Sequence, residues 1–172
     1  MLEWCKRLFN IQLNREMVLN RELMFSNKNN CWCTPRDFYN KLNEEFNFNL
    51  DPACMPKSAL CDKYFTPEED GLKQSWQGYN VFVNPPYGRE IKNWVKKAHD
   101  EWKKGNCNIV MLIPARTDTL YFHNYIYNIA NIRFIRGRLK FIDLDFKGKE
   151  EDRKMSPAPF PSMLVIWGYT KN

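Results

Sequence analysis

The sequence predicts an α/β sandwich whose sheet is parallel at first and antiparallel near its end. Three observations carry that expectation. From Thr34 onward, amphipathic helical stretches are interspersed with short apolar runs. Two of those runs stop abruptly at a polar residue followed by proline: Leu50-Asp51-Pro52-Ala53 and Val83-Asn84-Pro85-Pro86-Tyr87-Gly88. The last third carries three further apolar runs (132–135, 139–142 and 162–167), the first two close enough for a hairpin.

Taken in order, residues 2–25 contain no Pro or Gly and read as an amphipathic helix. The run Ser26-Asn27-Lys28-Asn29-Asn30 reads as a linker. The domain organisation expected is therefore a helix and linker over 1–30 and one folded domain over 31–172. Thr34 is placed to cap a helix with Pro35 at its first position, and Phe38, Leu42, Glu45 and Phe46 follow at helical spacing. Phe48-Asn49-Leu50 is a short strand, 54–78 is irregular, and 79–83 is a second strand. Residues 89–104 form a helix with Ile91, Trp94, Val95, Ala98 and Trp102 in one stripe, its lysines on the solvated side and Gly105 closing it. A buried-type strand over 108–113 and a helix around 119–128 come next, then a hairpin across Gly137. The charged and proline-rich stretch 143–159 is a loop, and Ser162–Trp167 is the last strand.

Composition narrows the function classes. With 44% hydrophobic and 15% aromatic residues, the 172-residue chain can build a core. No run approaches the roughly eighteen apolar residues of a membrane span, and the N-terminus lacks an export signal. A soluble protein inside the cell is expected. The formal charge of +6 tilts toward phosphate-bearing partners without requiring them. The six cysteines include no Cys-x-x-Cys, and His99 and His123 pair with nothing nearby, so reduced thiols and no metal are expected.

Chemistry is expected beyond the carboxyl ends of the strands, where open α/β sheets gather their ligands. If the two proline-terminated strands are parallel neighbours, Asp51 and Asn84 flank one crevice. In Asn84-Pro85-Pro86-Tyr87 two prolines stiffen the turn and remove two backbone donors. The Asn84 side-chain oxygen and the Pro85 carbonyl then accept from one planar amine, and Tyr87 offers a ring face for stacking. The plainer alternative is a rigid turn with a capping Asn and a packing Tyr. Arg116 is poised either for phosphate or base contact or for a structural ion pair.

Asn84-Pro85-Pro86-Tyr87 matches the amino-methyltransferase signature used on adenine N6 and on some glutamine side chains. The ordered set is more telling: Trp32-Cys33-Thr34-Pro35, Leu50-Asp51-Pro52-Ala53, Asp70-Gly71-Leu72 with Trp76, the Asn-Pro-Pro-Tyr turn, Pro114-Ala115-Arg116-Thr117, and Gly137-Arg138-Leu139-Lys140-Phe141. From about Trp32 to Trp167 this resembles the small phage-type DNA N6-adenine methyltransferases of the Dam family. The resemblance implies a Rossmann-like class I methyltransferase sandwich, compact and without a separate target-recognition domain. It implies S-adenosylmethionine as cofactor and an adenine flipped out of DNA at a short recognition site. Asn84, Pro85, Pro86 and Tyr87 would then form the catalytic turn. Asp51, Pro52 and Ala53 fall on the first cofactor motif, although no glycine lies between Asp51 and Gly71 where such enzymes often have a glycine-rich turn. Trp32, Thr34 and Pro35 fall where the family closes over the cofactor. Asp70, with Leu72 beside it, meets the adenine amino group of the cofactor, and Asp62 its ribose hydroxyls. Arg138 and Lys140 fall near the target base, with Arg116 a further DNA contact.

Other readings stay open at this stage. The same turn serves RNA bases and protein glutamine, and a catalytically degenerate DNA-binding module would keep the fold. Sequence choice would come from the loops 54–78, 115–120 and 143–159, with Lys147, Lys149, Arg153 and Lys154 of the last either on DNA or solvated. The N-terminal helix could pair two copies into a homodimer. The setting implied is the cytoplasm of a bacterium carrying the phage or prophage.

Overall fold

The apolar runs 80–83, 108–114 and 162–167 become strands here because each is too short for a stable helix and is buried along nearly its whole length. The computed structural model describes residues 33–141 and 156–169, all within the second of two units, Trp32–Asn172. The helix and linker expected over 1–30, Trp32, and Lys147, Lys149, Arg153 and Lys154 lie outside the described residues. In chain order the elements are α1 (Arg36–Phe46), β1 (Leu50–Asp51), β2 (Lys63–Tyr64), β3 (Asn80–Val83), α2 (Ile91–Lys103) and β4 (Asn108–Pro114). They continue with α3 (Leu120–Tyr125), β5 (Asn131–Phe134), β6 (Lys140–Phe141), β7 (Ser156–Pro157) and β8 (Ser162–Trp167).

Six strands form one sheet in the order β2-β1-β3-β4-β8-β5, and β6 and β7 form a separate ribbon. β1 is parallel to β2 and β3, and β3 is parallel to β4. β8 inserts between β4 and β5 and is antiparallel to both. The mixed α/β sheet with antiparallel C-terminal strands is therefore as expected.

Register assigns the layers. Phe82 lies opposite Val110, which lies opposite Ile166, so these three share a face. The Tyr39 ring of α1 meets Phe82 edge-on at 5.3 Å, which puts α1 on that face. Trp167 points the other way, where its Nε1 donates to the Tyr125 carbonyl of α3 at 3.2 Å, and Tyr125 in turn contacts His99 of α2 at 5.2 Å. Helices thus cover both faces. Val81, Val83, Ile109 and Met111 are wholly buried, and each such side chain contributes about 1.5–3 kcal/mol relative to exposure. At the sheet's far edge Arg133 of β5 forks onto Glu45 of α1 at 2.5 and 2.6 Å.

Several expectations are corrected. Residues 132–135 and 139–142 do not form a hairpin across Gly137: β5 pairs with β8, and Lys140 pairs with Pro157 in the ribbon. Gly137 does turn the chain, at φ 78°, but the two runs leave it toward different partners. The strand expected at 48–50 is Leu50–Asp51, and the irregular stretch 54–78 contains β2, which extends the sheet. The helix around 119–128 is confined to Leu120–Tyr125. Thr34 does not cap α1. Pro35 occupies that position, and its ring offers no acceptor for a side-chain cap, while the Thr34 hydroxyl accepts from Asn84. Nor are the α2 lysines all solvated. Lys97 is largely covered and reaches the buried Glu101 at 2.7 Å, as the exposed Lys104 just past the helix does at 2.6 Å, while Lys96 pairs with Asp100 at the surface.

Candidate active site

Because β1, β3 and β4 are parallel neighbours, their carboxyl ends open at one edge of the sheet. Leu50 pairs with Val81, so Asp51 is level with Phe82, and Asn84 follows two residues further along the neighbouring strand at the same end of the sheet.

Asp51 is 4% exposed. Its Oδ1 accepts from the Ala53 N–H and its Oδ2 from the Leu60 N–H, each at 3.3 Å. The carboxylate thereby holds both ends of the 53–60 loop, while Phe65 N–H donates to the Asp51 carbonyl at 3.0 Å. Burial pushes its pKa up to about 6, against the opposing pull of the Ala53 and Leu60 N–H groups and Cys54. Cys54 is itself buried with its Sγ toward the Asp51 carbonyl at 3.9 Å. Burial raises the Cys54 thiol and takes Cys61 up to about 11, so both stay protonated near neutrality.

The absent glycine-rich turn is answered from another segment. A Cβ on Gly71 would stand 1.9 Å from the Pro52 carbonyl oxygen, so only glycine lets this backbone lie against the end of β1. Trp76 pins it there: its Nε1 donates to the Gly71 carbonyl at 2.9 Å, and its indole packs on Trp94. Trp76 is fixed in turn by Glu101, which is 1% exposed and accepts its backbone N–H at 3.1 Å. Burial alone would raise Glu101, but Lys104, Lys97, Gln77 and the Trp76 N–H prevail and bring it down to about 2. Asp70 and Leu72, both half-buried, flank the glycine that lies against Pro52. Asp70 adopts φ 56° and pairs with Lys73 at 3.0 Å. Asp62 is exposed on the turn before β2.

Asn84 continues straight from β3. Its Nδ2 donates to the Thr34 Oγ1 at 2.9 Å, which fixes the amide plane and turns Oδ1 away from Thr34. The same bond ties Thr34 and Pro35, from the start of α1, to the Asn-Pro-Pro-Tyr turn.

Tyr87 differs from expectation. It is 6% exposed rather than an open platform, and its hydroxyl donates to the Leu112 carbonyl of β4 at 3.3 Å. Burial raises its pKa far above the usual phenol range. The Phe160 and Phe141 rings meet it nearly perpendicular, at 5.4 and 6.3 Å. Phe160 was missed by sequence reasoning because it lies in a stretch read as loop; its setting between Pro159 and Pro161, just ahead of a buried strand, was the available signal.

Arg116, Arg138 and Lys140 are all exposed. Among the described residues none of the three forms an ion pair, so the structural alternative for Arg116 has no partner there. The β4 exit is tied by Ala115 N–H to the Pro161 carbonyl at 2.9 Å and by Thr119 Oγ1 to the Arg116 carbonyl at 3.0 Å. No group of three or more metal-ligating side chains occurs among the described residues.

Comparison with known proteins gives the ancestry. The profile of the family described as DNA N-6-adenine-methyltransferase (Dam) matches residues 23–172. The chain is 30% identical over 139 residues to the DNA N-6-adenine-methyltransferase of Haemophilus phage HP1, covering 79% of this chain and 77% of that protein. It is 34% identical over 110 residues to the enzyme of the same name from Escherichia phage T1, covering 63% of this chain and 45% of that longer protein. Together with the shared edge of Asp51 and Asn84, these matches establish that the chain belongs to the Dam family of DNA N-6-adenine-methyltransferases.

Proposed function

We propose that this protein transfers a methyl group from S-adenosylmethionine to N6 of an adenine in DNA, on a compact Rossmann-like class I scaffold. The observation that carries the reading is the Asn84 amide, oriented by Thr34 at the end of β3 and next to the Asp51 corner.

The cofactor chemistry suits the residues present. Asp51 closes β1, Asp70 precedes Gly71, which packs on Pro52, and Asp62 precedes β2; these carboxylates would suit a cationic ligand, with Leu72 as an apolar neighbour. Asp70 would accept from the adenine amine of the cofactor, Asp62 would hold the ribose, and Thr34, Pro35, Pro52 and Ala53 would enclose the rest. When bound, S-adenosylmethionine supplies an electrophilic methyl carbon on a sulfonium sulfur.

The remaining work belongs to the acceptor turn. N6 inside a duplex is paired and stacked, so the base must leave the helix to arrive here. Asn84 Oδ1 and the Pro85 carbonyl accept its two N–H groups and localise a lone pair otherwise shared with the ring. Pro86 keeps the turn stiff. Tyr87, with Phe141 and Phe160, forms the aromatic wall, and the hydroxyl tied to Leu112 holds that wall in place. As the N–C bond forms and the S–C bond breaks, the proton on N6 becomes acidic and passes to solvent. No covalent nucleophile is required, so Cys54 and Cys61 are dispensable for chemistry. Arg116, Arg138 and Lys140 bring the DNA backbone or base edges to this rim. The phage origin of both relatives fits an enzyme working in the cytoplasm of an infected or lysogenic bacterium.

The test is to incubate the chain with labelled S-adenosylmethionine and DNA, RNA or protein, then digest the product to nucleosides or amino acids for mass spectrometry. N6-methyladenine from DNA is expected. Label in RNA or in protein glutamine alone would transfer the reading to that substrate. Absence of a thermal shift at saturating cofactor would favour a degenerate binding module. Asn84→Ala is expected to abolish transfer while cofactor binding largely survives; near-normal turnover would refute its role.

A further inference from the structure

α3 begins directly beyond the carboxyl end of β4, and its first residue is the most exposed of the large apolar side chains among the described residues. Leu120 is 81% exposed, while its neighbours Tyr121 and Phe122 are buried and anchor the helix. A lone exposed leucine is ordinary on most surfaces, so its setting decides the matter. Register brings two basic segments to the same end of the sheet. Pro114 of β4 lies opposite Ser162 of β8, and Ile135, just after β5, donates its N–H to the Ser162 carbonyl at 3.1 Å. Residues 115–120 and 135–140 therefore leave the sheet at one edge, on either side of β8. They carry Arg116, Arg136, Arg138 and Lys140, all exposed and without an ion pair among the described residues; Asp118 is the one acidic side chain in these two segments. This is also the edge at which the acceptor turn sits, since the Tyr87 hydroxyl reaches the Leu112 carbonyl on β4.

An apolar side chain standing in a basic rim matches one surface well: a duplex with anionic strands outside and an apolar base stack within. We infer that Leu120 is a positioning residue that enters the base stack of duplex DNA and fills the space vacated when the target adenine swings out. The inference rests on the proposed methylation of DNA adenine. Leu120 touches no reacting atom; it stabilises the extruded arrangement against re-pairing. The buried Tyr121 and Phe122 fix the helix backbone that presents it.

The experiment uses the full chain, Leu120→Ala and Leu120→Ser with two substrates. One is a duplex oligonucleotide that the wild type methylates; the other is the same duplex with an abasic site opposite the target adenine, so that the base is already unpaired. The inference expects both variants to keep the wild-type unfolding midpoint and to lose about tenfold or more in rate on the paired duplex. It expects them to return to within about threefold of wild type on the abasic duplex. Equal losses on both substrates, or no loss on either, overturn it. So does a change of oligomeric state in the variants by light scattering, which would make the patch a contact between copies. If the wild type methylates neither duplex, the DNA reading itself falls and takes this inference with it.

Discussion

Replacing Asp51 by Asn separates charge from hydrogen bonding at the end of β1. The carboxylate is buried, which raises its pKa from 3.8 to about 6, whereas in the unfolded chain it titrates near its ordinary value. The folded state therefore holds the proton more tightly. Its contribution to stability is fully present below about pH 4, is lost as pH climbs through about 6, and then levels off. At about 1.36 kcal/mol per pH unit, the rise from 3.8 to about 6 amounts to about 3 kcal/mol. Asp51→Asn carries no charge and lacks this slope. It also offers one carbonyl oxygen to the two N–H groups of Ala53 and Leu60 that the carboxylate now serves separately. One of them then faces an NH2 group, a loss of about 1–3 kcal/mol. That loss sets the absolute level, and the charge sets the trend. The stability of Asp51→Asn relative to wild type should rise by about 2 kcal/mol between pH 4 and pH 7, most of the limiting difference, since other titrations are common to both proteins and cancel. Urea unfolding of both proteins at four pH values across that range measures it. A stability difference flat with pH would refute the reasoning, because it would mean the carboxylate is not desolvated.

Two further perturbations test the scaffold beneath the site. Gly71→Ala places a methyl 1.9 Å from the Pro52 carbonyl oxygen and should destabilise the fold by about 1–3 kcal/mol, with a weaker thermal shift on S-adenosylmethionine; an unchanged unfolding midpoint would show that the backbone yields freely there. Glu101→Ala removes the partner of Lys97 and of the buried Trp76 N–H and should lower stability by about 1–3 kcal/mol at pH 7 by urea unfolding. Because the folded pKa of Glu101 lies near 2 rather than 4.5, its contribution is present above pH 4.5 and fades as pH falls toward 2, so variant and wild type should converge in acid.

Much of the active edge was legible because its signals are local. Asp51-Pro52 and Asn84-Pro85-Pro86 are each improbable ways to leave a buried strand, and α2 announces itself through a stripe of five apolar residues. What stayed hidden depends on partners remote in sequence. Apolar runs reveal that 132–135 and 139–142 are extended, but not that β8 captures the first and the ribbon the second. β2 is only two residues long at an edge, too short for any period to register. Glu101 looks like one more charge on an amphipathic helix; its role appears only when the 76–77 segment is laid over it. Tyr87 carries both possibilities in its chemistry, ring face or buried anchor, and the choice rests on Phe141 and Phe160 arriving from elsewhere.

The place of β8 between β4 and β5 has a consequence for synthesis. On the ribosome, Ser162–Trp167 emerges after every other described element. Until then β4 offers a bare edge of backbone donors and acceptors, and β5 has no strand to join. The sheet is therefore completed from its middle by the last of its described strands to be translated, and a nascent chain halted at residue 161 would expose apolar surface to chaperones instead of working. Premature stops upstream of this strand should yield inactive, aggregation-prone fragments rather than weakened enzymes.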